Sequence, residues 1–325
     1  MNHAFVLFTA LAAVAGAAPT VEPVMLGKGV ISTSANEFGG SMTPDGNTIY
    51  FSRSVPRSYM YAIFESHRIK GRWQLPEVVS FSGRGRDFDP VLSPDGRRMV
   101  FISDRAVTNG GERKHDYDVW MLEKDATGRW SQPVHLPAPV NTTKPKDVRD
   151  FINNEWFASV ANDGTLFVAS DGYEAGGKMQ IYRVPCENGH YLAPQNVGAV
   201  INEGGLANGE PILAHDGSFL LFASLNRKGG YGGWDIYISK KAPDGAWMEP
   251  ENLGPKVNSS ARDYSPRLEP DGHTLIFTSE RNFAMQRRGR IGWRALKAGA
   301  LGIMNGNGNI YEIDLCKLHL HSLSC

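Results

Sequence analysis

The stretch from Ser93 to Ser103, SPDGRRMVFIS, places an Asp-Gly turn directly before a run of apolar residues. Asp-Gly between two apolar runs is a strong signal for a tight β-hairpin, because the turn needs positive φ angles that Gly adopts without strain. The run after the turn is apolar at nearly every position, which predicts a strand covered on both faces. The stretch therefore predicts a hairpin whose second strand is buried.

The same unit occurs five times along the 325-residue chain. Each copy has an Asp-Gly turn and an apolar strand, followed by a β-branched and aromatic segment. The first four copies continue with a Gly-aromatic turn and a Pro three residues after the aromatic residue. The five hairpin turns lie at Asp45, Asp95, Asp163, Asp216 and Asp271. Four antiparallel strands per copy are typical of a propeller blade, and Pro suits the entrance of an outer edge strand.

The fifth copy ends after its third strand, so its fourth strand must come from elsewhere. The N-terminal residues Pro23, Leu26, Gly27 and Val30 match the type and spacing of the fourth-strand residues Pro250, Leu253, Gly254 and Val257. We therefore predict an all-β fold, a five-bladed β-propeller over residues 22–316, closed by the N-terminal strand. Six blades are the alternative, for which only residues 282–308 leave room. Residues 317–325 are expected to form a C-terminal tail.

The pattern Ser-Pro-Asp-Gly followed by an apolar strand ending in Phe-x-Ser resembles the WD40-like Pro-Asp-Gly β-propeller repeat. This repeat is found in TolB-type propeller proteins and in many exported bacterial proteins. The resemblance extends over residues 22–315 and implies the fold. It implies no single function, because one propeller fold supports both binding scaffolds and enzymes.

Composition limits the class of partner and the compartment. Lys plus Arg and Asp plus Glu both number 34, so the formal net charge is zero, which argues against nucleic acid as a partner. The apolar run from Phe5 to Ala18 predicts a signal peptide over residues 1–18 and hence export to the periplasm or the extracellular space. No later run is long enough for a membrane span. Three Cys are too few for a disulfide framework, although Cys316 and Cys325 could pair.

The loops indicate which face of the propeller is functional. Connections from second to third strands are long and unequal, whereas the Asp-Gly and Gly-aromatic turns on the other face are uniformly short. Variable loops on a rigid scaffold commonly carry function, so we expect the binding surface on the face with the long connections, called here the channel face.

A ring of polar residues is expected at this face. One ring position lies eight residues before each hairpin Asp, and Arg follows the second strand in four blades; Asp171-Gly172 replaces it in blade three. Two interpretations stay open: a charged mouth that binds a ligand, or acids that pair with Arg and cap backbone groups. The ring residues are Glu37, Asp87, Glu155, Asn208, Asp263, Arg53, Arg105, Arg227 and Arg281.

Two loop segments add aromatic candidates. Residues 228–234 combine Gly with Tyr231 and Trp234, which could stack on a sugar or pack structurally. Residues 282–308 carry Trp293 among basic residues and no acid, which indicates either a lobe that recruits an acidic partner or a solvated loop.

No nucleophile elbow, zinc-binding helix or phosphate loop is present in the sequence. We therefore predict no catalytic residue, no metal and no cofactor, and a non-catalytic protein that binds a protein or glycan partner at the channel face. The alternative is a glycosidase or lyase that uses Glu37, Asp87, Glu155 or Asp263 as paired carboxylates, with Glu210 as a departure from the repeat.

Overall fold

The computed structural model describes residues 21–54, 60–142, 153–174, 177–285, 289–321 and 323. Five antiparallel sheets form a five-bladed β-propeller, as predicted. The predicted signal peptide, residues 1–18, and Cys325 lie outside the described residues. In the described ranges no helix is long and apolar enough to cross a membrane.

The strands run outward from the channel in chain order within each blade. β1 (Val24–Met25) precedes the first blade and belongs to the last. Blade one has β2 (Asn36–Met42), β3 (Thr48–Ser54) and β4 (Tyr61–Ile69), extended by β5 (Arg72–Trp73) and edged by β6 (Glu77–Val78). Blade two has β7 (Asp87–Leu92), β8 (Arg98–Ser103), β9 (Asp118–Glu123) and β10 (Val134–His135).

Blades three to five repeat the arrangement. Blade three has β11 (Glu155–Val160), β12 (Leu166–Ser170), β13 (Gln180–Val184), a small hairpin of β14 (Cys186–Glu187) and β15 (His190–Tyr191), and β16 (Gln195–Asn196). Blade four has β17 (Ala207–Leu213), β18 (Phe219–Leu225), β19 (Trp234–Lys240) and β20 (Glu251–Asn252). Blade five has β21 (Asp263–Leu268), β22 (Thr274–Ser279) and β23 (Asn309–Asp314). The helices are α1 (Ala199–Asn202), α2 (Trp293–Leu301) and the 3-10 turn Leu315–Leu318.

The hairpin Asp has the same local role in all five blades. In blade two, the Asp95 carboxylate accepts a hydrogen bond from Arg97 N at 3.0 Å, and Gly96 has a φ of 67°. Each of the other four turns has the same bond from the backbone N–H two residues after Asp. The turn is therefore fixed by Asp and Gly, and it forms equally where Asn162 or His215 replaces Pro.

The second strand of each blade is covered by the neighbouring blades. Phe51, Phe101, Phe222 and Phe277 occupy equivalent positions in these strands and are fully buried. The near-continuous apolar runs of the sequence thus reflect burial on both faces of every sheet.

Closure of the ring follows the prediction. β1 pairs with β23 through Val24 opposite Glu312 and Met25 opposite Tyr311. Ser32 strengthens the junction, because its hydroxyl donates to Ile310 O at 3.1 Å and accepts from Ile310 N at 3.0 Å. The N-terminal segment therefore supplies the outermost strand of blade five.

The six-blade alternative is wrong. The described residues of 282–308 contain α2 and no strand of a further sheet, and a bridge between Asn282 and Asn305 closes the segment at its base. The helix itself was not predicted. Cys316 is disulfide-bonded and Cys186 is free.

Candidate functional site at the channel face

The ring residue of blade two, Asp87, joins two blades. Its fully buried carboxylate accepts hydrogen bonds from Gly83 N at 2.7 Å and from Arg105 Nη2 at 2.6 Å. Arg105 also donates to Phe81 O at 2.8 Å. Because Phe81 and Gly83 lie between the outer strand of blade one and β7, the pair fastens this connection to the first strand of blade two.

The same contact recurs in two other blades. Arg53 donates to Glu37 at 3.0 Å, and Arg281 donates to Asp263 at 3.1 Å. Each Arg also donates to a carbonyl of the connection that enters its blade. These contacts are those expected from the structural interpretation of the ring, in which each acid pairs with Arg and accepts backbone N–H groups. A ligand-binding role for these residues stays a prediction.

Blade four keeps the connection but lacks the acid. Asn208 accepts a hydrogen bond from Ser224 Oγ at 2.7 Å, and Arg227 donates to Val200 O at 3.2 Å. Asn208 also donates to the carbonyl of Asn202, which lies in the connection from blade three. An uncharged ring residue therefore makes the same link between blades.

Blade three keeps the acid but lacks the Arg. Glu155 accepts hydrogen bonds from Thr142 Oγ1 at 3.1 Å and Ser170 Oγ at 3.2 Å, and no Lys or Arg of the described residues bonds to it. Burial, and secondarily the negative charge of Asp118, raise the pKa of Glu155 well above its usual 4.5. Glu155 is thus a buried ring acid whose pKa is shifted strongly upward by its surroundings.

An aromatic pocket opens inside this ring. It is a cavity of about 270 Å³, and eight of its twelve lining residues are aromatic. All five blades contribute to it. The aromatic lining residues are Phe38, Tyr61, Phe88, Tyr117, Trp156, Phe157, Trp234 and Tyr264, and the polar ones are Asn36, Glu210, Arg262 and Glu280.

Six of the eight rings pack against each other in a belt, namely those of Phe38, Tyr61, Phe88, Tyr117, Trp156 and Tyr264. Phe88 lies 5.7 Å from Tyr61 and 5.1 Å from Tyr117 between ring centroids, and Tyr117 lies 5.2 Å from Trp156. Phe38 lies 6.5 Å from Tyr264 and closes the belt towards blade five. Edge and tilted contacts of this kind hold the rings in place, so the wall of the pocket is formed before any ligand binds.

Polar residues mark the rim of the pocket. Arg262 forms an ion pair with Glu280 at 3.2 Å and lies over the ring of Tyr264, 5.1 Å from its centroid. Arg86, which does not line the pocket, lies 4.7 Å over the ring of Tyr117. Two belt rings therefore already contact a cation, Arg262 at the rim of the pocket and Arg86 outside it.

Four buried polar and charged residues form contacts across the channel next to the pocket. We call Asp89, Glu210, Ser265 and Arg267 the channel cluster. Arg267 of blade five donates to Asp89 of blade two at 2.5 Å. Glu210 of blade four accepts hydrogen bonds from Ser265 N and, at 3.0 Å, from Ser265 Oγ. Within the described part of the chain, Asp89 Oδ2 and Arg267 Nε are buried without a hydrogen-bond partner.

Backbone bulges turn the channel cluster inward. Asp89, Glu210 and Ser265 have φ values of 56°, 56° and 48°, and each lies where the pairing of the first strand shifts register. Gly39 takes this position in blade one, and a Cβ there would lie 2.6 Å from Asp89 Oδ1. Only Gly leaves room for Asp89 at that position.

The carboxyl groups of the channel cluster have raised pKa values. Burial, followed by the charge of Asp89, raises the pKa of Glu210 to about 7. Burial also raises the pKa of Asp89, although Arg267 opposes the shift. Glu210 therefore exchanges its proton near neutral pH, at the wall of an aromatic pocket.

The predicted aromatic candidates fall in different places. Trp234 lines the pocket, whereas Tyr231 is half exposed and does not line it. Trp293 lies on α2 and is 75% exposed. The structure thus brings one of the three to the pocket.

Of the eight aromatic pocket residues, only Trp234 was predicted from the sequence. The residue directly after the ring position is aromatic in four blades, Phe38, Phe88, Trp156 and Tyr264, and Gly209 takes its place in blade four. This regularity is visible once the repeats are aligned on the hairpin Asp. The ring positions were predicted as site residues because most are charged, but it is the residues next to them that line the pocket.

Comparison with known proteins supports the fold alone. We found no match among protein-family models and none among curated protein sequences. Among solved structures, a glycoside hydrolase superposes with a TM-score of 0.55 at 10% identity, over 91% of both chains. TolB from Acinetobacter baumannii gives a TM-score of 0.47 at 16% identity, over 90% of this chain. An α-L-arabinofuranosidase from Lactobacillus brevis gives 0.49 at 14%, over 87% of this chain and 91% of that enzyme.

The chain spans 63% of the length of the A. baumannii TolB. A fold shared at this level of identity does not by itself select between binding and hydrolysis.

Proposed function

We propose that this chain is an exported, non-catalytic binding propeller that recognises a glycan or protein partner through the aromatic pocket of the channel face. The observation that carries the proposal is the set of eight aromatic residues, drawn from all five blades, that line one open cavity. A pocket lined mainly by aromatic rings with a few polar groups at its rim is the usual form of a ligand site.

The size of the pocket limits what can enter it. Its volume of about 270 Å³ lies just below the ~300–1,000 Å³ of sites for drug-sized ligands. It therefore suits one sugar ring or one side chain that protrudes from a larger partner. The aromatic faces would pack on the C–H surface of such a group, while Asn36 and the ion pair of Arg262 and Glu280 supply hydrogen bonds at the rim.

A glycan array and a peptide library, each followed by titration calorimetry, test this proposal. The diagnostic variant is Trp234→Leu, which removes an aromatic ring from the pocket wall but keeps an apolar side chain. Tyr231→Leu is the matched control, because Tyr231 lies on the same loop and outside the pocket. We expect affinity to fall at least about tenfold for Trp234→Leu, as at other aromatic contacts at the centre of an interface, and to be unchanged for Tyr231→Leu. Equal affinities of both variants and the parent would reject the pocket as the site.

One observation favours a second function, a carbohydrate-active enzyme. Glu210 lines the pocket with a pKa of about 7, beside the second carboxyl of Asp89, and a pair of carboxyl groups is the usual machinery of glycoside hydrolysis. The acids Glu37, Asp87, Glu155 and Asp263 are instead buried in the contacts between blades. If the chain hydrolyses glycosides, we propose that Glu210 acts as the acid.

A panel of nitrophenyl glycosides tests the second function. Hydrolysis by the parent chain that is lost in Glu210→Gln, with the circular dichroism spectrum unchanged, would establish it. Hydrolysis retained in Glu210→Gln would reject Glu210 as the acid. If the parent chain binds a glycan or a peptide but hydrolyses no glycoside, the second function is rejected and the binding function is retained.

A further inference from the structure

The helix α2 stands away from the body of the propeller. We call residues 289–301, which include α2, the basic arm. None of the residues of α2 is buried; Trp293 is 75% exposed and Leu301 72% exposed. Gly299 packs against Phe283 at the start of the same 282–308 segment, where an added Cβ would lie 2.3 Å from the Phe283 ring. Large apolar side chains of α2 thus face solvent, while Gly299 faces Phe283.

The charge of the basic arm is uncompensated. Arg290, Arg294 and Lys297 lie within it, and no acid occurs between residues 282 and 308. Among the described residues none of the three bonds to a carboxylate or a carbonyl, whereas Arg53 and Arg105 of the ring do both. In a chain of zero net charge this is a local concentration of free positive charge.

The apolar and basic side chains of α2 share one side of the helix. At 100° per residue, Trp293, Leu296 and Ala300 fall within an arc of about 60°, and Lys297 and Leu301 lie next to it. Gly299, which contacts Phe283, lies outside this arc. The exposed side of α2 therefore combines Trp and Leu with Lys and Arg.

The residues on either side of the basic arm in the chain adjoin the aromatic pocket. Asn305 Nδ2 donates to Ser34 O at 2.9 Å, and Gly308 N donates to the pocket residue Asn36 at 2.8 Å. On the other side of the arm, Glu280 also lines the pocket. The arm thus rises from the channel face at blade five.

We propose that the basic arm is a peripheral docking site for an anionic lipid surface. A helix with Trp and Leu beside Lys and Arg lies in the interface of a bilayer, where the rings and aliphatic chains enter the acyl boundary and the cations meet anionic headgroups. A hydrophilic acidic polymer would satisfy the three cations but would leave Trp293, Leu296 and Leu301 in water. Docking through the arm would hold the aromatic pocket close to the bilayer.

Vesicle flotation with the full chain tests the proposal. We use vesicles of phosphatidylcholine alone and vesicles in which about a third of the lipid is phosphatidylglycerol, a fraction that gives a clearly negative surface potential. We expect binding to the anionic vesicles, little binding to the neutral ones, and loss of binding as salt is raised. The double variant Arg294→Gln with Lys297→Gln should weaken binding by roughly fivefold per charge removed. Trp293→Ser should weaken it without changing its salt dependence.

Two matched controls separate the basic arm from charge and hydrophobicity in general. The double variant Arg129→Gln with Lys317→Gln removes two exposed cations elsewhere, and Leu75→Ser removes a side chain that is 82% exposed in blade one. Both should bind as the parent does. Absence of binding to the anionic vesicles, equal binding to both vesicle types, or binding unaffected by the arm variants would overturn the proposal. So would capture of the chain by polyglutamate with no binding to vesicles.

Discussion

The guanidinium of Arg105 lies 2.6 Å from the carboxylate of Asp87, with both side chains buried at the junction of blades one and two. The pair also fixes two backbone groups of the connecting segment, Phe81 O and Gly83 N. A buried ion pair contributes little net stability when intact, but removing one partner leaves an unpaired buried charge. The pair therefore acts as a link between blades whose loss is costly.

Asp87→Asn should destabilise the fold strongly. Arg105 would be left buried without its counter-ion, so we expect the free energy of unfolding to fall by ~3–5 kcal/mol. Urea denaturation measures this change in the free energy of unfolding. Glu123→Gln is the matched control, because Glu123 pairs with Arg98 at 2.9 Å but is 58% exposed, and such pairs contribute ~0–1 kcal/mol. Equal effects of the two substitutions would show that Asp87 is not such a link.

Glu155→Gln should raise the free energy of unfolding at neutral pH, whereas Asp87→Asn should lower it. The folded pKa of Glu155 lies well above its ordinary 4.5, so the folded state retains a proton that the unfolded chain releases. The contribution of Glu155 to the free energy of unfolding is therefore complete below pH 4.5 and declines as the pH rises towards the folded pKa. Gln cannot ionise, so the variant should lose this decline and gain stability relative to the parent as pH rises.

Urea denaturation at pH 5 and pH 8 measures this difference, with Glu37→Gln as the control. Glu37 has Arg53 as its partner at 3.0 Å, so its replacement should lower stability. A Glu155→Gln variant whose stability relative to the parent does not rise between the two pH values would contradict the prediction.

The parts of the fold that depend on local chemistry could be predicted from the sequence. Asp95 and Gly96 define their turn by themselves, and the match of Leu26 with Leu253 revealed the closing strand because the repeat spacing is preserved. Helix α2 lacked such a signal. It begins after Gly292, which offers no side-chain cap, and it contains Gly299, so it follows no start or stop rule.

The channel cluster could not be predicted, because it depends on contacts across the channel. Asp89 and Arg267 are 178 positions apart, in blades two and five. The bulge at Asp89 also reverses the alternation of inward and outward side chains. Regular alternation along β7 therefore predicts the wrong direction for side chains beyond the bulge. Non-glycine residues hold the left-handed conformation at Asp89 and Glu210, and no local pattern marks them.

The carboxyl of Glu210 should titrate near neutral pH. We expect an apparent pKa of about 7 from the side-chain carbon resonance, assigned by its absence in Glu210→Gln. This assignment is needed because burial and the charge of Glu312 also raise the pKa of Glu269 to about 7. Asp89→Asn removes a neighbouring negative charge and frees Arg267, so both changes should lower the pKa of Glu210. A Glu210 pKa that stays the same or rises in Asp89→Asn would refute this electrostatic account.

Removal of the closing strand should open the ring. A chain that begins at Gly27 lacks β1 and Leu26, whereas a chain that begins at Val21 keeps both and is the control. The loss of buried Leu26 alone should cost ~1.5–3 kcal/mol, and each kcal/mol lowers the Tm of a domain of this size by roughly 2–4 °C. The bared edge of β23 should also pair with other molecules, visible as oligomers in light scattering. A Gly27 chain as stable and as monodisperse as the Val21 chain would show that the pairing of Met25 with Tyr311 is not what closes the propeller.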